Sequence, residues 1–166
     1  MENIIEYWDL YDRNGNSLHK TQVRGPTNKD EYHIIVNIWI KNSEDKIILT
    51  KRDPNKPWPN KWECTGGSIL AGEDSITGAI REVKEEIGIK IKNIKLLERI
   101  IRDEYPDFMD VYLCIEDINI EEAILQEGEV IDIKWCTKDE IKKMVETGEI
   151  AEPLNYIVEY ISKGKI

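Results

Sequence analysis

A chain of 166 residues with 40% hydrophobic and 34% charged residues has the length of one domain with room for a terminal extension. That composition excludes a disordered chain, and at this size about 70% of the unfolded surface is buried on folding, so a core can form without disulfides or a structural metal. The 23 Lys and Arg stand against 33 Asp and Glu, a net charge of −10, which argues against a nucleic-acid-coating protein and a polybasic membrane binder. A polyanionic substrate stays open, because a divalent cation can supply positive charge locally.

In chain order, Glu6–Leu10 and Leu18–Val23 read as short strands joined by a turn at Arg13-Asn14-Gly15-Asn16. Gly25-Pro26-Thr27-Asn28 breaks the pattern and divides an N-terminal extension, residues 1–30, from a main domain, residues 31–166. Tyr32–Lys41 and Lys46–Lys51 are isoleucine-rich runs around Asn42-Ser43-Glu44-Asp45 and predict a hairpin. Asp53–Asn60 holds three prolines and reads as a loop, and Trp62–Thr65 as a short strand entering Gly66-Gly67. Asp74–Ile87 predicts a helix, with Ile76, Ala79, Ile80, Val83 and Ile87 on one face, Asp74 or Ser75 as cap and Gly88 as stop. Lys95–Arg102, Asp110–Ile115 and Val130–Trp135 read as strands, Lys138–Glu146 as an amphipathic helix, and Leu154–Ser162 as a closing helix. This order suggests a mixed sheet covered by helices, an α/β or α+β sandwich.

Cys64, Cys114 and Cys136 are odd in number and form no CxxC, as expected of reduced thiols in a cytosolic protein. Met1–Leu10 contains Glu2, Glu6 and Asp9 without a basic segment, so it does not read as a secretory signal. The apolar run Ile34–Ile40 is too short to span a bilayer. The expectation is a soluble cytoplasmic protein. His19 and His33 form no metal pattern and read as structural.

The strongest signal lies on the Asp74–Ile87 helix. Glu82, Glu85 and Glu86 fall at i, i+3 and i+4, which puts three carboxylates on one helix face. Arg81, four positions before Glu85, can neutralise part of their repulsion. Crowded carboxylates cost stability unless a cation compensates, and hard divalent cations prefer carboxylate oxygens. The pattern points to metal-assisted chemistry on a phosphate-bearing substrate. Alone, Glu-x-x-Glu-Glu is more often a solvated acidic face.

The surrounding residues decide between these. Gly67, five residues, Glu73, seven residues, then Arg81-Glu82-Val83-Lys84-Glu85-Glu86-Ile87-Gly88-Ile89 span 23 residues. This segment resembles the box of the Nudix (MutT-like) hydrolases, and a looser likeness runs over about Tyr32–Ile161. The resemblance implies an α/β/α sandwich with a mixed central sheet, and a loop–helix–loop that holds the catalytic motif. It implies a hydrolase that cleaves a diphosphate linked to a further moiety, using Mg²⁺ or Mn²⁺ and an attacking water. Glu85 and Glu86 would be metal ligands, with Glu82 a ligand or the water-activating base and the Gly67 carbonyl a further ligand. Glu73 and Arg81 would hold the loop against the helix. Family members often add a carboxylate beyond the box. Glu129, directly before the Val130 strand, is the preferred residue for a catalytic role, ahead of Glu127, Glu121 and Glu122. Expected partners are a small-molecule diphosphate and a second copy in a homodimer, without a nucleic-acid polymer or a membrane.

Between Lys51 and Lys61 the charge is +3, a basic island before the box. Arg52 is its best phosphate-binding candidate. Trp58 and Trp62 could stack on a base or simply pack. The N-terminal segment looks like the extension of Nudix proteins related to isopentenyl-diphosphate isomerase, which raises isomerisation as an alternative. Cys64 is out of register for that chemistry, and the full Arg-Glu…Glu-Glu pattern favours hydrolysis. A non-catalytic nucleotide-binding regulator is a third class, although such proteins commonly lose box glutamates and none is lost here.

Overall fold

The computed structural model describes residues 4–166. Its strands are β1 (Tyr7–Tyr11), β2 (Ser17–Val23), β3 (His33–Lys41), β4 (Ile47–Arg52), β5 (Trp62–Glu63), β6 (Thr65–Ser68), β7 (Ile94–Arg102), β8 (Asp107–Ile115) and β9 (Val130–Cys136). Its α-helices are α1 (Ser75–Ile87), α2 (Lys138–Glu146) and α3 (Ile157–Ser162).

β1 and β2 form a separate antiparallel pair, and the other strands make a seven-stranded sheet. β3 is its centre. Along its whole length it runs parallel to β8, from His33↔Asp107 to Lys41↔Ile115. On its other side it meets β4 only at Lys41↔Ile47, because β6 occupies that edge from Ile35↔Ser68 to Ile38↔Thr65. The predicted hairpin therefore exists as a turn whose arms splay, and β4 pairs instead with β5 and β9. The glycine pair does not end a strand, since Gly66 and Gly67 lie within β6.

Two apolar clusters sandwich this sheet. Val36, Ile38 and Ile40 of β3 pack with Ala79, Val83 and Ile87 of α1. Trp39 faces the opposite layer, where Ile141 and Met144 of α2 and Ile157 and Ile161 of α3 close the core. The period-two alternation of a strand distributes β3 between both layers. The result is a mixed α/β fold with helices on both faces.

Helix α1 starts where the Asp74 side chain accepts from the Thr77 amide at 2.8 Å, and ends at Gly88 in the left-handed conformation, φ 72°. Its buried residues are Gly78, Ala79, Val83, Glu86 and Ile87. Ile76 departs from the expected stripe and is exposed, because the helix meets the sheet only from Gly78 onward. Glu86 takes a buried place between Val83 and Ile87. β8 begins three residues before expectation, at Asp107. Its acidic residues Asp107 and Asp110 are buried against Arg102 and Arg99 of β7. α3 begins at Ile157, since Glu152–Leu154 form a separate 3₁₀ turn.

The N-terminal hairpin docks on this body. Trp8 and Leu10 are buried. Ala71 donates its amide to the Tyr7 carbonyl at 2.8 Å, and Gly72 donates to Asp9 at 2.7 Å. Arg13 makes two bonds of 3.0 Å to Asp103, which also accepts from the Tyr32 hydroxyl at 2.7 Å. The hairpin thus bridges the loop before α1 and the turn between β7 and β8. No helix among the described residues is long and apolar enough to cross a membrane.

Candidate active site

Arg81 organises the segment from Gly67 to Gly88. Its guanidinium donates to both Glu73 oxygens at 2.8 and 3.0 Å and to the Ser68 carbonyl at 3.0 Å. Its remaining nitrogen reaches Glu82 and Glu85, each at 2.9 Å. Glu73 also accepts from the Leu70 amide at 3.1 Å. One cation therefore ties the loop, the end of β6 and the acidic helix face together.

Behind the glutamates the backbone comes unusually close. Gly67 faces the Glu82 carboxylate, and Gly78 lets α1 rest on Ile69 and Glu73. Burial pushes the Glu82 carboxyl up to about 7 against the pull of Arg81. Glu86 is 3% exposed and accepts from the Gly66 amide at 3.2 Å. Burial, with the charges of Glu63 and Glu82, drives it well above the usual carboxylate range. Glu85 is the exposed member of the three.

A cavity of about 650 Å³ opens above them. Gly67, Glu82, Glu85, Glu86, Arg52 and Glu129 all line it. Glu73 and Arg81 stand behind the wall, as positioning residues. Glu127, Glu121 and Glu122 are outside the lining, and the last two sit in the 3₁₀ turn Ile120–Glu122. Of the basic island, Arg52 and Lys56 face the cavity, and each is ion-paired, Arg52 with Glu63 and Lys56 with Glu129. Lys61 instead donates to the Gly148 carbonyl. Trp58 lines the cavity beside the Arg52 guanidinium, 5.9 Å from the ring centroid, in the left-handed backbone region at φ 51°. That conformation is strained for a bulky residue. Trp62 is buried in the core.

Several lining residues were not candidates from the sequence, among them Glu63, Asn37 and His33. Glu63 is a buried carboxylate between Arg52 and Glu86, on a strand only two residues long. Asn37 opens onto the cavity from β3 and donates to the Tyr156 hydroxyl at 2.9 Å. His33, expected to be structural, stacks on Trp8 and also lines the cavity. As the side chains stand, no three acidic, histidine or cysteine residues among those described meet at metal-binding distance. Arg81 holds Glu82 and Glu85 to itself, while Glu86 turns to Gly66.

The Nudix-domain family profile matches residues 31–154. The chain belongs to the Nudix family. An uncharacterized Nudix hydrolase of Listeria innocua is 32% identical over 148 residues, covering 87% of this chain and 88% of that one. A crystal structure from Deinococcus radiodurans superposes with a TM-score of 0.73 at 22% identity, over 88% of this chain and 92% of that chain. The Nudix domain of Shewanella oneidensis NrtR, solved with ADP ribose, gives a TM-score of 0.65 at 18% identity, over 80% and 88% of the two chains. These two show the shared fold. The chain is thus a Nudix hydrolase, an enzyme class acting on acid anhydrides, and Gly67–Ile89 is its Nudix box.

Proposed function

We propose that this Nudix hydrolase uses Mg²⁺ or Mn²⁺ to cleave the diphosphate linkage of a nucleoside diphosphate derivative, or of a related small organic diphosphate, by water. One observation carries the reading. Glu82 and Glu86 are buried carboxylates whose like charges and desolvation disfavour ionisation, yet both line one cavity. An oxygen-only donor set under such strain fits a hard divalent cation. Glu82, Glu85, Glu86 and the Gly67 carbonyl are the residues that would hold it. When bound, such an ion polarises phosphate oxygens and eases deprotonation of water.

The chain's own groups supply the rest. Glu82, on the cavity wall beside Glu85 and Glu86, suits the general base that takes the proton of the attacking water. Glu129 is the second carboxylate for proton transfer, held by Lys56 at the cavity wall. Arg52 and Lys56 meet the diphosphate as it displaces their carboxylate partners. Cys64 is a residue of the same cavity wall, but it is 3% exposed and burial pushes its thiol well above the ordinary range, which counts against the isomerase alternative. Three buried free thiols suit a cytoplasmic enzyme.

The test is release of phosphate or nucleoside monophosphate from a panel of nucleoside diphosphate derivatives, with Mg²⁺, with Mn²⁺ and with chelator. Turnover that stops on chelation is expected. A wild type that turns over isopentenyl diphosphate without releasing phosphate would overturn the proposal.

A further inference from the structure

The cavity does not stop at the acidic helix. It continues to the N-terminal hairpin, where Glu6, Trp8, Arg24, Thr27 and His33 line it. The Trp8 and His33 rings stack there with centroids 3.7 Å apart and planes inclined by 28°. Both carry unused hydrogen-bonding capacity. Trp8 Nε1 and His33 Nδ1 are shut in without a partner among the described residues. His33 Nε2 has no partner among them either and is not shut in, and His33 is a residue of the cavity wall.

Burial, with the Arg102 and Arg24 charges, lowers His33 to about 4, so the imidazole is neutral at physiological pH. Orphaned buried N–H donors are rarer than orphaned acceptors. A proton on Nε2 rather than Nδ1 adds no further buried donor without a partner to that of Trp8, and it gives the cavity wall a hydrogen-bond donor. Nearby charges are already matched: Arg24 with Glu6 at 2.8 Å, and Arg102 with Asp107 at 2.6 and 2.8 Å. A hydrocarbon chain laid here would strand these polar groups without water. A hydroxyl, which both donates and accepts, suits a neutral imidazole flanked by ion pairs.

We infer that the Trp8–His33 pair is a specificity-determining element that binds the part of the substrate beyond the diphosphate, and that this part is a hydroxyl-bearing group such as a sugar rather than a hydrocarbon chain. The hairpin ties to Asp103, Ala71 and Gly72 fix the pair before any substrate arrives, which lowers the ordering cost of binding. The inference rests on the diphosphate-hydrolase reading only for which end of the substrate lies at Glu82 and Glu86.

The test compares wild type, H33F and H33Q. Phe keeps the stacked ring and removes both nitrogens, whereas Gln restores a donor. Kinetics with Mg²⁺ are measured on ADP-ribose and on isopentenyl diphosphate. H33F should lower the ratio of kcat/KM for ADP-ribose over isopentenyl diphosphate about tenfold, mainly through KM, as expected for one lost hydrogen bond. H33Q should recover part of it. Calorimetric binding of a methylene-bridged, non-hydrolysable ADP-ribose to the three proteins separates the two readings. If wild type hydrolyses nothing yet binds this analogue about tenfold more tightly than H33F does, the hydrolase proposal falls and this one stands. Equal analogue binding by wild type and H33F, or an unchanged selectivity ratio in a folded H33F, would overturn it.

Discussion

The carboxylate of Glu82 lies so close over Gly67 that a methyl group added there would stand 2.5 Å from both of its oxygens. Glu82 cannot easily retreat, because its side chain is only 14% exposed and Arg81 grips it. The same closeness recurs at Gly78, where an added methyl would stand 2.8 Å from Glu73 Oε2. The two glycines set how near α1 sits to β6 and to the loop before it.

Gly67→Ala should therefore act on the site more than on the fold. Glu82 must rotate out, and hydrolysis should fall on the order of 10²-fold, with a destabilisation of about 1–3 kcal/mol. Parallel melts and initial rates check this. A variant with near-normal rates would show that Glu82 need not sit over Gly67.

Glu85→Gln and Glu86→Gln each keep size and remove a negative charge. Each should lower hydrolysis about 10²-fold or more, a barrier increase of roughly 3 kcal/mol. Mg²⁺ titration of the rate should show weakened metal affinity, with half-maximal rate reached at a higher Mg²⁺ concentration than in wild type. Unchanged activity in both variants would remove these residues from the metal site.

Glu73 and Glu82 share Arg81 yet should behave differently. Glu73→Gln loosens the loop at its bonds to Arg81 and Leu70, so both melting temperature and activity should drop. Glu82→Gln should cost activity with little loss of stability. Thermal melts beside rate measurements decide, and a silent Glu73→Gln would reverse the two roles.

Two groups of the cavity give opposite pH slopes. Glu82, raised to about 7 from 4.5, keeps a proton that the unfolded chain has lost. Its contribution is full below pH 4.5 and is lost as pH rises to 7, by up to about 3 kcal/mol. His33, lowered to about 4 from 6.5, contributes fully above pH 6.5 and loses this as pH falls to 4. In metal-free protein, Glu82→Gln should therefore gain stability relative to wild type as pH rises from 4.5 to 7. H33F should gain relative to wild type as pH falls from 6.5 to 4. Mg²⁺, which favours ionised carboxylates, should raise the melting temperature of wild type more at pH 8 than at pH 5. Denaturant titrations at four pH values would reveal any of these slopes with the wrong sign.

The acidic cluster was legible because one helix carries it, so its geometry follows from spacing alone. Cap and stop were legible for the same reason, at Asp74 and Gly88. The stripe failed at Ile76, since periodicity gives the direction of a face but not where the sheet beneath it ends. The strand Asp110–Ile115 was legible but the first three residues of β8 were not, because the burial of Asp107 depends on Arg102 of a neighbouring strand. Glu63 escaped notice and His33 was read as structural because their neighbours come from distant segments: the charge of Glu63 bears on Glu86, and His33 rests on Trp8. Arg52, the phosphate-binding candidate, lines the cavity, but its pairing with Glu63 was not visible from sequence.

The long parallel register of β3 with β8 also governs assembly. His33 and Asp107 must find each other across an intervening hairpin turn, the Nudix box and α1. Loop-closure entropy opposes that meeting, and local contacts cannot prepay it. The β1–β2 hairpin and the β3–β6 pairing can form early, but the long central β3–β8 pairing must wait for β8 and the β4–β9 pairing for β9. The cavity floor is therefore a late product of folding, and the polar groups that line it stay hydrated until the last large pairing excludes bulk water.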